Sequence, residues 1–313
     1  MREIKKIATR VSYGEALAAL ADEFPNLVVL DADLSAATKT SIFQKKYPDR
    51  HINCGIAECD MMGVAAGLAA EGFIPVVSTF AMFAAGRAWE QVRNSIAYPQ
   101  LNVKICATHG GITVGEDGAS HQCNEDIALM RAIPGMTVIC PADDVEARAA
   151  LRAALKTDVP VYLRFGRMAV PVFNDPGDDF KIGRGRVLRS GGDVTLAATG
   201  ICVWEALRAA DLLAARGISA EVISFATLKP FDGQLLSESV RKTGRAITIE
   251  EHSVIGGLGS AALEAIAEHP VPLLRIGIQD VFGCSGSARE LMQLHGITAE
   301  QIANRAEAWL RNA

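Results

Sequence analysis

Val103-Lys104-Ile105-Cys106-Ala107-Thr108-His109-Gly110-Gly111-Ile112-Thr113-Val114-Gly115-Glu116-Asp117-Gly118-Ala119-Ser120-His121-Gln122 is the stretch on which the fold turns. An apolar run ends at Thr108 and opens into a glycine-rich loop carrying two histidines and two acids. Open α/β sheets bind ligands beyond the carboxyl ends of their strands, so this loop marks both a sheet edge and a candidate site. Outward from it, strand-like runs fall at residues 27–31, 74–78, 137–140 and 159–165. Helical patterns separate them at 58–71, 82–98 and 143–156, and near-continuous apolar strands predict sheets covered on both faces. Ser12-Tyr13-Gly14-Glu15 reads as a capping box opening a helix that runs to about residue 23.

Asn174-Asp175-Pro176-Gly177-Asp178-Asp179 is turn-forming and acidic, without apolar period, and reads as a linker. The βα alternation then restarts at 194–198 and continues through helical patterns at 203–215, 233–242 and 258–268 to terminal helices at 288–295 and 299–311. The expected fold is therefore α/β, two domains with mainly parallel sheets flanked by helices, divided into residues 1–178 and 179–313.

Composition narrows the function. The 313 residues carry 31 basic and 36 acidic side chains, a formal charge of −5, so no basic footprint for nucleic acid is present. No run reaches the roughly 18 apolar residues of a membrane span, and the basic MREIKK start lacks an apolar signal core. Seven cysteines in apolar contexts, with no C-x-x-C pair, predict a reducing cytoplasm. His121-Gln122-Cys123 has no second ligand pair nearby, so no metal site is assigned to this chain. A phosphate-binding P-loop fails because Gly115 is followed by Glu116, Gly257-Leu258-Gly259 lacks the third glycine of a dinucleotide fingerprint, and Gly283-Cys284-Ser285-Gly286 does not fit a nucleophile elbow.

Three segments carry the chemistry: Asn53-Cys54-Gly55-Ile56-Ala57-Glu58 running into a helix, Ser78-Thr79-Phe80-Ala81-Met82-Phe83 at a strand end, and the glycine-rich loop itself. With the Pro141-Ala142-Asp143 turn, Glu250-Glu251-His252 and Gly256-Gly257-Leu258-Gly259, they resemble the C-terminal portion of transketolase in its split, two-chain form. The resemblance covers essentially the whole chain. It implies a thiamine-diphosphate pyrimidine-binding domain followed by a transketolase C-terminal domain, and transfer of a two-carbon ketol unit from a ketose phosphate to an aldose phosphate.

By that resemblance Glu58 is the catalytic, cofactor-activating glutamate, which bonds the aminopyrimidine and spends time protonated near neutral pH, as a dry pocket flanked by Ile56, Met61 and Met62 favours. Read from the residues alone, Glu58 equally complements a helix dipole in its first turn. Phe83 matches the aromatic that stacks on the pyrimidine, with Phe80 beside it, and Asp33 matches a cofactor-side aspartate; two core phenylalanines are the alternative for the rings. His109, Asp117 and His121 match sugar-contacting residues, His121 at the reacting carbonyl. Arg164 matches the phosphate-binding arginine, the alternative being a strand-end salt bridge.

Three positions depart from the family. Gly86 stands where many members have tyrosine, which predicts a pyrimidine pocket more open on that side. Gly110 stands for aspartate and Ala37 for a phosphate-binding serine, which leaves room for an unusual ketose. No Gly-Asp-Gly occurs, so the diphosphate and Mg²⁺ are expected on an N-terminal partner subunit, in an α₂β₂ assembly. The rival readings are a half of a deoxyxylulose-phosphate synthase-like enzyme, a 2-oxo-acid dehydrogenase β-type half, and a non-catalytic regulatory subunit.

Overall fold

The computed structural model describes residues 5–312, so most of the basic MREIKK start lies outside the described residues. A seven-stranded sheet holds, in spatial order, Thr227–Lys229, Thr137–Ile139, Val161–Arg164, Lys104–Thr108, Ile74–Phe80, Leu27–Asp31 and His51–Asn53. Every neighbouring pair is parallel except the first, so six strands present their carboxyl ends along one edge. The strands Ile74–Phe80, Lys104–Thr108 and Val161–Arg164 are buried at every position, as a sheet with helices on both faces requires.

A second sheet orders Leu273–Ile278, Ala246–Ser253, Val194–Ala198, Ala220–Ser224 and Arg186–Arg189, parallel apart from the last. The mainly parallel two-sheet architecture follows the alternation read from the sequence. One element crosses between the halves: Thr227–Lys229, from the second, pairs antiparallel with Thr137–Ile139 and closes the edge of the first sheet.

The helix expected to open at Ser12 begins instead at Thr9 and ends at Leu20. The antiparallel ribbon of Lys6–Ala8 with Ala169–Pro171 feeds the chain straight into it. Ser12 is therefore internal and its hydroxyl turns back to the Ala8 carbonyl, while Glu15 pairs with Arg148 rather than capping. A reciprocal capping box does form at Ser287 and Glu290, opening Ala288–Leu294. The expected helix over 82–98 is broken into widened turns at Met82–Arg87 and Val92–Ala97, whose Ala88 and Tyr98 amides reach back five residues to the Phe83 and Arg93 carbonyls.

Asp143 secures the exit from the first sheet. It caps Asp144–Leu155 by accepting from the Glu146 amide at 3.0 Å, and it also accepts from the amides of Phe173 and Asn174 and the Asn174 side chain at 2.8–3.0 Å. Four donors on one fully buried carboxylate tie the helix start to the segment leading out of the domain. Asp143→Ala is expected to lower the unfolding free energy in urea by about 2–4 kcal/mol; a loss below about 1 kcal/mol would count against this clamp.

Candidate functional site

Glu58, Phe80, Phe83, His109 and Asp33 all lie at or beyond carboxyl ends of parallel strands and so along one edge of the first sheet. Glu58 opens the helix Glu58–Ala70, and its side chain is only 2% exposed. Of the residues expected to dry its pocket, Met61 and Met62 are buried, whereas Ile56 is 75% exposed and turned outward. The carboxylate meets a cation: Arg87 Nη1 lies 3.3 Å from Oε2, and the same guanidinium sits 5.4 Å from the Phe83 ring centroid. One guanidinium thus spans from Glu58 to Phe83.

Phe80 is buried, stacked against the His109 imidazole at 3.8 Å and nearly parallel to Phe83 at 5.8 Å. Phe83 is only partly covered, so it is the ring with a face to offer. His121 meets Phe83 edge-on at 5.6 Å. Asp33 is exposed in the left-handed region, φ 62°, its amide held by Asn53 Oδ1 at 3.2 Å. His109 also has φ 59°, a backbone state costly for a residue with a β-carbon and often kept at sites.

Burial, then the nearby charges of Arg10, Arg167, His121 and Lys39, push the His109 imidazole down to about 3. It is therefore neutral at physiological pH. Arg10 Nη1 lies 3.1 Å from His109 Nε2, and arginine can only donate, so Nε2 accepts and Nδ1 carries the proton toward Thr108 Oγ1 at 2.8 Å. Arg10 Nη1 also donates to the Ala37 carbonyl at 2.9 Å. Arg167 donates to the Val114 carbonyl and stands 3.4 Å from Asp117.

The sequence assignment of Arg164 as an anion ligand is corrected by its surroundings. It is 5% exposed, with Nε 2.8 Å from Asp126 Oδ2 and Nη2 donating to the carbonyls of Cys123 and Glu251. Arg164 fills the room expected beside Gly110: a β-carbon there would come within 2.5 Å of Arg164 Nε. Gly110 thus makes space for a buried ion pair and opens no substrate pocket.

The cations that do face the loop, Arg10 and Arg167, were missed. The signal was available in position: Arg167 follows the end of Val161–Arg164, beyond the sheet, while Arg164 lies within a strand covered on both faces. Arg10 comes to it through the ribbon and through the Gly166 amide, which donates to Thr9 Oγ1 at 2.7 Å. The second domain pins the same loop from behind, with Glu251 Oε1 accepting from the Thr113 amide at 2.6 Å and Gln122 donating to the Cys284 carbonyl at 2.8 Å.

Residues 5–172 match the family model of the transketolase pyrimidine-binding domain, and residues 183–302 that of the transketolase C-terminal domain. A transketolase C-terminal section from Methanocaldococcus jannaschii is 51% identical over 300 residues, 95% of this chain and 94% of that protein. A 6-deoxy-6-sulfo-D-fructose transketolase subunit from a Clostridium species is 46% identical, over 95% of this chain and 92% of its own length. Among solved structures, a split-gene transketolase described as an inactive β4 tetramer superposes with a TM-score of 0.91 at 52% identity, over 97% of this chain and 99% of that one.

The two arginines should separate in a stability assay. Arg164→Met leaves Asp126 buried without its cation and is expected to cost about 3–5 kcal/mol in urea denaturation. Arg167→Met, at a side chain one-third exposed that donates to the Val114 carbonyl, is expected to cost about 0.5–1.5 kcal/mol.

Proposed function

Because the chain belongs to the transketolase family, as the C-terminal section of a split enzyme, we propose that it activates thiamine diphosphate for two-carbon ketol transfer in a site completed by a second chain. The observation that carries this reading is the slot between Glu58 and Phe83. A single planar guanidinium bridges the two, so a planar heteroaromatic ring fits the same place, with a carboxyl at its edge and an aromatic face against it. When bound, the cofactor supplies the electron sink that a ketol transfer needs.

The chain's own groups divide the remaining work. Glu58 holds the pyrimidine through its carboxyl, and Phe83 stacks on it. Phe80 supports Phe83 from within the core, and Asp33 stands at the neighbouring strand end. His121, edge-on to Phe83, is placed to hold the donor's carbonyl region, and Asp117 to accept from a sugar hydroxyl. The terminal phosphate is assigned to Arg10, Arg167 and His109 in place of Arg164. With His109 neutral and its Nε2 accepting from Arg10, the two guanidiniums supply the charge. A sulfonate offers the same oxygen acceptors, and the Clostridium relative carries a sulfo-sugar in its name.

The diphosphate and its Mg²⁺ are assigned to a partner chain bearing Gly-Asp-Gly, in an α₂β₂ assembly. The related β4 tetramer described as inactive supports partner dependence. So do two glycines. Gly63 and Gly67 lie on the exposed side of Glu58–Ala70, and a β-carbon at either would meet nothing within 4 Å. Mid-helix glycine costs roughly 0.5–1 kcal/mol relative to alanine, so these residues serve close approach by a backbone outside this chain. All seven cysteines are free thiols, which suits the reducing cytoplasm.

In the enzyme reconstituted with its partner, Glu58→Gln is expected to lower turnover at saturating cofactor by about a hundredfold or more. Near-normal turnover, or full activity of this chain alone, would overturn the reading. Gly67→Leu is expected to abolish co-purification with the partner while the isolated subunit melts no lower than the parent; retained pairing would remove that helix from the interface.

A further inference from the structure

Arg87 has an unusual place for a side chain that is 55% exposed. Its charge lies against a carboxylate that is 2% exposed, at 3.3 Å, and over an aromatic face at 5.4 Å. The backbone explains how it arrives there. Arg87 lies four residues, about one turn, after Phe83, in the widened segment Met82–Arg87 whose following Ala88 amide reaches the Phe83 carbonyl at 3.0 Å. Gly86 has no side chain to compete for that place, and a β-carbon on it would come within 2.6 Å of the Met82 methyl. Cys59 Sγ, in the first turn of the neighbouring helix, contacts the Arg87 carbonyl at 3.5 Å and ties the two segments together. The opening expected beside Gly86 is therefore occupied by the next residue along.

We propose that Arg87 is a positioning residue that holds the pyrimidine slot before the cofactor arrives, pairing with Glu58 and covering Phe83, and that it must swing into solvent for the aminopyrimidine to reach either group. This rests on the assignment of Glu58 and Phe83 to the cofactor and goes beyond it by naming what competes for them. Magnitudes make Arg87 a gate rather than a block. The cation–π contact is weak, and although the carboxylate of the pair is buried, its cation is more than half exposed, so the displaced guanidinium returns to water it has only partly left. While in place it satisfies a buried carboxylate that would otherwise stand unpaired in the isolated subunit.

The test is the equilibrium binding of thiamine diphosphate to the reconstituted two-chain enzyme, by calorimetry or tryptophan fluorescence, with Mg²⁺ saturating. Arg87→Met keeps the aliphatic stem without the charge and is expected to tighten Kd by about three- to tenfold. Arg87→Gln should do the same, and Arg87→Lys should stay within about twofold of the parent. In a Glu58→Gln background the gain from Arg87→Met should shrink by at least half, a coupling that a purely structural role does not produce. Unchanged or weaker binding by both neutral variants, or the same gain in both backgrounds, would sink the proposal. The two levels of inference fail separately. Sustained turnover by Glu58→Gln removes the cofactor assignment itself, whereas loss of turnover there with no tightening by Arg87→Met removes only the role of Arg87.

Discussion

The buried pair of Arg164 with Asp126 is the constraint around which the site is arranged. Its Nε–Oδ2 contact of 2.8 Å is reinforced by the Tyr162 hydroxyl on the same oxygen, and its outer nitrogen reaches carbonyls in the site loop and in the second domain. Such a pair adds little net stability over an apolar core, but once built it cannot lose a partner cheaply. It dictates Gly110, whose β-carbon would collide with it, and so shapes the strand end from which His109 projects. Arg10 and Arg167, outside the sheet, are the arginines left facing the loop.

The loop is further shaped from the second domain. Glu251 accepts from the Thr113 amide, and a β-carbon at Gly111 would strike that carboxylate, so the loop's left-handed turn there and the glutamate fit one another. The second half of the chain therefore does more than enlarge the protein. It fixes the geometry in which His109 stacks on Phe80 and His121 meets Phe80 and Phe83 edge-on.

Most of the architecture was legible because apolar runs and helical periods survive averaging: the strands Leu27–Asp31 and Val194–Ala198 fall where the pattern puts them. What escaped was set by tertiary pairing. The three-residue strands Lys6–Ala8 and Thr227–Lys229 carry no period of their own, and the helix at Thr9 starts where the ribbon delivers it rather than at the nearest capping motif. At the site, the glycine-rich loop was visible as composition. The different settings of Arg164 and Arg167 were not, because two arginines three residues apart look alike until the sheet buries one of them. Gly86 misled for a related reason: the long side chain of Arg87, one turn after Phe83, reaches over that ring, and hydrophobic period does not report it.

The antiparallel strand Thr227–Lys229 has a consequence for how the chain matures. When the ribosome has extruded only the first half, the strand Thr137–Ile139 still presents an open row of amides and carbonyls, the kind of edge that recruits neighbouring chains. That row is closed only after about another fifty residues have been made, when a segment from the second half of the chain returns to it. The two halves share one nascent folding unit, although each has a sheet and helices of its own.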